Sequence, residues 1–393
     1  MAMALTLVIN PGSSSKKYAL YREGREVLYV SVTKEATDIR YAVCKNDTWL
    51  VNQPISEAEY GRTIELVLQS ARQYGCLQQP TEVTQVGVRI VAPGEQFQLH
   101  QVLHEQLLHD LQANVAAAPL HIPPTLSEIK AVKAALPAAT IVAVTDSAFH
   151  NTLPPAAYRS SIPAEDTTGF GIRRYGYHGL SVASIVRRVH AVTGQNYSRL
   201  IVCHLGSGAS VTAVQDGVSV ETSMGFSPGS GLVMSSRAGD LEPGALLELM
   251  RLRSMNPHDA YTYLQTRGGL QALAGEADIR HLLERVAKQD SEATIAFERF
   301  AHCVKKQVGA MMAVLGGLDA LVITATAGER SPALRQLCFG QLGGLGITIS
   351  AEKNDEMVGR EGVISLDGGK VKVVVMKTDE MGEMQRVTEQ LVP

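Results

Sequence analysis

Residues Ile201 to Leu241 read IVCHLGSGASVTAVQDGVSVETSMGFSPGSGLVMSSRAGDL, and this stretch decides the fold. It opens as an apolar strand and meets His204-Leu205-Gly206-Ser207-Gly208-Ala209-Ser210, a small-residue turn whose backbone can approach a ligand closely. A second alternating strand follows from Ser210 to Val214, and Asp216-Gly217 marks a tight hairpin turn. A long glycine-punctuated loop then carries one arginine and one aspartate, Arg237 and Asp240. Strand, glycine turn and strand together form a cradle for phosphate on backbone N–H groups.

A second copy of the same idea stands near the start. Leu5 to Asn10 is a short apolar strand, Pro11-Gly12-Ser13-Ser14-Ser15 is a hydroxyl-rich turn, and Lys17 to Tyr21 resumes an extended pattern. Asn10, Ser13, Ser15 and Lys17 can all point donors at an anion. The turn is not a Walker A loop, which needs Gly-x-x-x-x-Gly-Lys-Ser/Thr leading into a helix. Two such hairpins point to two halves that each grip part of a phosphorylated ligand, an arrangement compatible with internal duplication.

At 393 residues the chain predicts two or three domains and a substantial core. Its 45% hydrophobic and 19% charged composition is that of a globular protein. A net charge of −3 gives no electrostatic case for nucleic acid or an anionic membrane. Five cysteines, at 44, 76, 203, 303 and 338, have no paired spacing, which fits reduced thiols in a cytoplasm better than a disulfide framework or a zinc site. The opening MAMALTLVIN has no basic region and is not read as a signal peptide. No apolar run approaches the roughly 18 residues of a membrane helix.

Along the chain, Glu57 to Tyr74 has helical spacing, Val86 to Val91 reads as a buried strand, and Gln101 to Ala117 as a helix. Ile141 to Thr145 is an apolar strand that delivers Asp146 at its carboxyl end, where ligand groups sit in open α/β sheets. Composition shifts to Pro, Ala and Ser around 151–163, then Arg173-Arg174-Tyr175-Gly176-Tyr177-His178-Gly179 precedes a helix from Ser181 to Val192. Helices dominate from Pro243 to Leu315, with Asp278-Ile279-Arg280 among them. Leu321 to Thr324 is a strand that runs into the loop Ala325 to Arg330, followed by a helix. Strands at Val363–Leu366 and Val371–Met376 lead to Thr378-Asp379-Glu380.

With these residues assembled, the chain resembles the acetokinase family of acetate, propionate and butyrate kinases, from about Leu5 to Glu380 and with the family's motifs in order. The resemblance implies the α/β, duplicated actin-like fold shared by actin, sugar kinases and heat-shock ATPases. It implies an N-terminal domain over 1–148 completed by 377–393, and a nucleotide-binding domain over 149–376, with a nucleotide cleft between them. The implied reaction is reversible, Mg²⁺-dependent transfer (Mn²⁺ being the alternative ion) of the ATP γ-phosphoryl group to a short-chain carboxylate, giving an acyl phosphate and ADP. A cytoplasmic homodimer is implied, with no nucleic-acid or membrane partner.

Residue by residue, the resemblance places Asn10 and Glu380 at the metal, and Lys17 with Ser13 and Ser15 at the nucleotide phosphates. Arg89 matches the arginine on the substrate carboxylate, with Val91, Leu120, Tyr177 and Pro228 lining the acyl pocket. Asp146, His178 and Arg237 match the catalytic aspartate and the two transition-state stabilisers. His204, Leu205, Gly206, Ser207 and Gly208 match a nucleotide-binding segment, as do Asp278, Ile279 and Arg280, and Thr326, Ala327, Gly328, Glu329 and Arg330. The inventory suits the chemistry. A carboxylate is already nucleophilic at neutral pH, so the need is to bring two anions together and neutralise the transferring group. Arginine forks hold two oxygens in fixed geometry, and oxygen ligands suit Mg²⁺.

The chain departs from the family pattern at four places. Val88-Arg89-Ile90-Val91-Ala92-Pro93 lacks the two histidines usual around the carboxylate arginine, and Ser207 with Ala209 replaces an Asn and a Gly. Ala325-Thr326-Ala327-Gly328 replaces a glycine-rich adenosine loop, and Gly229-Ser230 alters the loop before Arg237. Tyr177 adds a hydroxyl where phenylalanine is usual. A kinase for an unusual acid or a donor other than ATP, and a catalytically weakened paralogue that only binds nucleotide or acyl phosphate, therefore stay open. Singly, each site has a bland reading: His178 or Asp146 as a helix cap, Arg237–Asp240 as a surface pair, Asp278, Arg280 and Glu380 as solvated charge. His104, His109, Cys203 and Cys303 match nothing and are read as structural.

Overall fold

The computed structural model describes residues 5–12, 15–34 and 38–392, so Ser13 lies outside it. The chain divides into two compact units, Met1–Ala148 with Asp379–Pro393, and Phe149–Thr378.

The first unit is built on an eight-stranded sheet of β1 (Leu5–Pro11), β2 (Ser15–Arg22), β3 (Arg25–Lys34), β4 (Ile39–Lys45), β5 (Thr48–Pro54), β6 (Val83–Ile90), β7 (Gln101–Val102) and β8 (Thr140–Thr145). Their order is β5-β4-β3-β2-β1-β6-β8-β7. Every residue of β1 is buried, as a continuous apolar run in a central strand requires. The antiparallel part folds on two-residue turns, Glu23-Gly24 and Asn46-Asp47, whose positive φ angles match the twist of a hairpin. β1, β6 and β8 are mutually parallel neighbours, so their carboxyl ends lie along one edge of the sheet. The helix Glu380–Leu391 packs on these three strands. It lies flush because β6 carries Gly87, where a Cβ would collide with Thr388 Oγ1.

The second unit holds β9 (Arg199–Leu205), β10 (Ala209–Gln215), β11 (Val218–Thr222), β12 (Ala320–Thr324), β13 (Gly362–Val363) and β14 (Lys372–Val375). Their order is β11-β10-β9-β12-β14-β13. That repeats β3-β2-β1-β6-β8-β7 strand for strand: an antiparallel meander, two parallel strands and an antiparallel edge. The fold is therefore α/β and duplicated. A 25-residue helix, Ser291–Leu315, buries an apolar stripe from Ala293 to Leu315 and packs against β9 and β10.

Four local expectations are corrected. The helix expected over 57–74 breaks at Gly61 into Glu57–Tyr60 and Thr63–Gln73. The helix expected over 101–117 is shorter, because Gln101–Val102 pairs with β8 and the Leu103 N–H donates to the Ile141 carbonyl. The helix that remains, Glu105–Ala113, is capped by His104, whose Nδ1 accepts from the Leu107 N–H. The strand expected over 363–366 reduces to Gly362–Val363 with an isolated bridge at Ser365. The loop expected over 325–330 is a helix, Ala325–Arg330.

This last helix follows β12 with no linker, and Ala325 makes the corner at φ 67°. An alanine there adopts the left-handed region at a cost of about 1–2 kcal/mol. Replacing it with glycine relieves that strain but frees the unfolded chain. The expected net effect of Ala325→Gly is a gain of about 0.5–1 kcal/mol in denaturant unfolding. A loss of stability would mean that burial of the Ala325 methyl outweighs the strain.

Candidate functional site

In the first unit the parallel strands deliver three polar side chains together. Ile9 pairs with Val88 and Arg89 with Val144, so Asn10, Arg89 and Asp146 arrive at adjacent strand ends. The Asp146 N–H extends the ladder by donating to the Ile90 carbonyl. Arg89 Nη2 donates to Asp146 Oδ2 at 2.8 Å and Nη1 to Asn10 Oδ1 at 3.0 Å. The Asn10 amide nitrogen in turn donates to Glu380 Oε2 at 3.3 Å, from the first turn of the helix that packs over these strands. Asp146 is fully buried and Arg89 largely so. Burial alone would pull the Arg89 guanidinium down, but the Asp146 and Glu380 carboxylates outweigh it and hold it above its ordinary value. Arg89 Nε is buried with no partner among the described residues.

Strand alternation separates the two adjacent lysines. Lys17 stands opposite Asn10 in the β1–β2 register and is exposed. Lys16 points into the core, 2.7 Å from Glu128 Oε1, with its ammonium also donating to the Tyr60 carbonyl. Ser15 begins β2, and its carbonyl accepts from the Gly12 N–H at 2.8 Å, closing the turn. Val91 is buried just past β6, and Leu120 is half-buried ahead of the helix Ile122–Ala135. Asp146, Glu380 and Asn10 offer only oxygen atoms that could hold a cation, and no group of three or more His, Cys, Asp or Glu occurs among the described residues.

In the second unit His178 precedes the helix Gly179–Thr193 in a left-handed conformation, φ 60°. Its ring stacks on that of His204, at the end of β9, with centroids 4.0 Å apart. His178 Nδ1 bonds Ser210 Oγ at 3.0 Å, and His204 Nδ1 bonds Ser181 Oγ at 2.8 Å. Gly208 lies against both His178 and Arg237. A Cβ there would stand 3.0 Å from His178 Nε2 and 3.5 Å from Arg237 Nη1. Arg237 Nη1 donates to the Pro228 carbonyl at 3.0 Å, and Asp240 Oδ1 accepts from the Gly231 N–H, so these two charges serve the loop separately. Tyr177 is fully buried and its hydroxyl donates to the Phe226 carbonyl at 2.6 Å, bracing the same loop.

Leu205 and Gly206 are buried and Ser207 is exposed at the β9–β10 turn. In the helix Ala325–Arg330, Thr326 and Arg330 are exposed, Ala327 is half-buried and Gly328 is buried against Ile323. Glu329 accepts from the Thr378 N–H at 2.9 Å, and burial raises its carboxyl. Asp278 caps the helix Ile279–Ala287 and pairs with the exposed Arg280 at 2.5 Å, while Ile279 turns inward.

Several supporting residues have no mark in the motifs. Arg335 is fully buried and donates to the carbonyls of Gly328, Asn354 and Met357 and to Asn354 Oδ1. Burial draws its guanidinium down to about 10, against the opposing pull of the Asp355 carboxylate. Gly268 and Gly269 close on the arginine loop, with the Gly268 N–H donating to Ser236 O and the Leu270 N–H to Met234 O. A Cβ on either would strike that loop's backbone. The Gly-Gly dipeptide was the available signal.

The acetokinase family model matches residues 5–385. The acetate kinase of Thermosipho africanus is 35% identical over 399 residues, covering 99% of this chain and 98% of that protein. Crystal structures of Porphyromonas gingivalis acetate kinase and of a Francisella tularensis propionate kinase superpose with TM-scores of 0.88 and 0.91. Each is 30% identical and covers 99% of this chain and 100% of the other. Fold and site define a phosphotransferase of the duplicated actin-like class. The chain belongs to the acetokinase family, kinases that phosphorylate a carboxyl group with ATP. No helix among the described residues is long and apolar enough to cross a membrane.

Gly208→Ala tests the geometry of the second unit. The added methyl presses on His178 Nε2, which must give by a few tenths of an ångström, and activity is expected to fall several-fold, short of the roughly 100-fold that a 1 Å misplacement costs. Steady-state kinetics would read this beside an unchanged melting temperature, and retained activity would show that the two side chains need not converge there.

Proposed function

We propose that this enzyme phosphorylates a short-chain, acetate-like carboxylate with ATP and Mg²⁺, reversibly, to give an acyl phosphate and ADP. The observation that carries the reading is Arg89, fixed by Asp146 and Asn10 yet with a buried Nε–H that a substrate carboxylate would satisfy. In this reading Arg89 orients the acid, whose own oxygen attacks without a general base. His178 Nε2 and the Arg237 guanidinium, which meet at Gly208, hold the equatorial oxygens of the transferring phosphoryl group.

The donor set fits Mg²⁺. Asp146 and Glu380 supply hard carboxylate oxygens with neither sulfur nor imidazole among them, and this ion takes the rest of its shell from water and phosphate. Bound there, it would neutralise charge on the β- and γ-phosphates. The β9–β10 turn with His204 to Gly208, the helix with Thr326 to Arg330, and Asp278 to Arg280 are assigned to the nucleotide, and Lys17 with Ser15 to its phosphates. Val91, Leu120, Tyr177 and Pro228 are assigned to the acyl group. Exposed Leu247 and Leu252, on a helix Pro243–Arg253 that buries none of its residues, support a homodimer, and five free thiols support a cytoplasmic setting.

Altered chemistry at Ala92-Pro93 and at Ala325-Thr326 favours testing acid and donor together. A hydroxamate assay over acetate, propionate, butyrate and larger acids, with ATP, GTP, ITP and pyrophosphate as donors, is expected to give most product with ATP and a short acid. No acyl phosphate in any combination would overturn the reading. Arg237→Ala is expected to lower kcat by about 10²–10³-fold, the loss usual for one electrostatic donor, whereas Arg89→Ala mainly raises KM for the acid. Exchange of these two signatures would reverse the role assignment.

A further inference from the structure

His204 and His178 stack face to face, and two imidazolium rings at 4.0 Å would repel. The hydrogen-bond chain behind them decides how a proton is distributed. Thr378 Oγ1 donates to Ser181 Oγ at 2.8 Å, and Ser181 Oγ bonds His204 Nδ1 at 2.8 Å. A serine hydroxyl has one proton. Thr378 occupies one of the two lone pairs of Ser181, and among the described residues His204 Nδ1 is the one partner left to take the proton of this fully buried hydroxyl, so Nδ1 is the acceptor. The His204 proton therefore sits on Nε2, the nitrogen nearer the Gly206 turn, 3.7 Å from where a Gly206 Cβ would be.

Thr378 is itself pinned, since its N–H donates to Glu329 Oε1 at 2.9 Å. Ser181 is fully buried in the first turn of the helix that follows His178, so one short segment carries both His178 and the residue that orients its neighbour. Among the charged groups beside the pair are Arg237, close to His178 Nε2 across Gly208, and Glu329, behind Thr378.

We propose that Thr378, acting through Ser181, is a positioning residue that holds His204 as the neutral Nε2–H tautomer, a fixed donor to an anionic oxygen, so that any positive charge on the stacked pair resides on His178. The proposal rests on the phosphoryl-transfer reading for the identity of that anion. The tautomer itself does not depend on it.

The test uses the full-length protein with isotope-labelled histidine. Proton–nitrogen correlation spectra report the tautomer of each ring, and His204 is assigned by the signal lost in His204→Gln. The expected result is an Nε2–H signature for His204 in the parent protein, retained in Thr378→Ser. In Thr378→Val, which keeps the shape but removes the donor, part of the signal is expected to pass to the Nδ1–H form. In parallel, kcat in Thr378→Val is expected to fall about 10-fold, the lower end of losses seen when the partner of a functional imidazole is removed, with KM for the acid unchanged and activity restored in Thr378→Ser. Ser181→Ala repeats the test from the other side should Thr378→Val not fold. An Nδ1–H signature in the parent protein, or a signature unmoved by both Thr378→Val and Ser181→Ala, would overturn the proposal. A parent protein with the Nε2–H signature but no acyl phosphate synthesis would leave the tautomer lock standing and remove the phosphoryl-transfer reading instead.

Discussion

A guanidinium taken largely out of water must be compensated on the spot, and Arg89 meets that requirement with Asp146 and, through Asn10, with Glu380. Each partner comes from a different element. Asn10 lies next to the end of β1, Asp146 follows β8, and Glu380 opens a helix close to the carboxyl terminus. The register of three parallel strands and the close approach of that helix over Gly87 therefore have to be right together, or a buried charge is left exposed to an apolar interior. Breaking such a buried pair by removing one partner costs about 3–5 kcal/mol. The constraint ties the terminal helix to the sheet as firmly as apolar packing does.

The second unit repeats the strand order and fills the same places with different chemistry. Where β1 ends in Asn10-Pro11, β9 ends in His204-Leu205 before the Gly206-Ser207-Gly208 turn. Where β6 carries Arg89, β12 ends in Thr324 and turns through the strained Ala325. Where β8 leads to Asp146, β14 leads to Thr378. At these strand ends the first unit thus gathers formal charges and the second gathers hydroxyls and an imidazole. A duplicated scaffold allows this because carboxyl ends of parallel strands present side chains to one edge whatever those side chains are.

The elements legible in the sequence were those set by local pattern. The two hairpins, the buried strand at Ile141–Thr145 and the helix after His178 follow from alternation, turn residues and apolar runs. Lys17 rather than Lys16 on the face of Asn10 also follows from alternation. What escaped depends on partners distant in sequence. Gln101–Val102 reads as helix until Val142 and Ala143 are beside it. Ala325–Arg330 reads as a loop because its helix is held by Arg335, whose acceptors run from Gly328 to Met357 and leave no motif. Ser181 is one of many serines until Thr378 and His204 flank it.

The non-glycine residues with positive φ sharpen this distinction. Glu23, Asn46, Asp47 and Asp216 occupy hairpin turns, and Ser254 and Gln289 follow helix C-termini, places where such angles are ordinary. His178 and Ala325 have no such excuse: one is a bulky imidazole at a helix start and the other a buried alanine at a strand end. Each costs on the order of 1–3 kcal/mol and persists only where its surroundings over-determine it. For His178 those surroundings are the His204 ring, Ser210 and the helix behind it; for Ala325 they are β12 and the buried Gly328 and Arg335 contacts. Both corners bring backbone or imidazole toward the β9–β10 turn, since Gly206 faces Ala325 and Gly208 faces His178. The two glycines of that turn are thus each set against one of these residues: a Cβ at Gly208 would press on His178 Nε2 at 3.0 Å, whereas one at Gly206 would rest in ordinary contact with Ala325 at 3.4 Å.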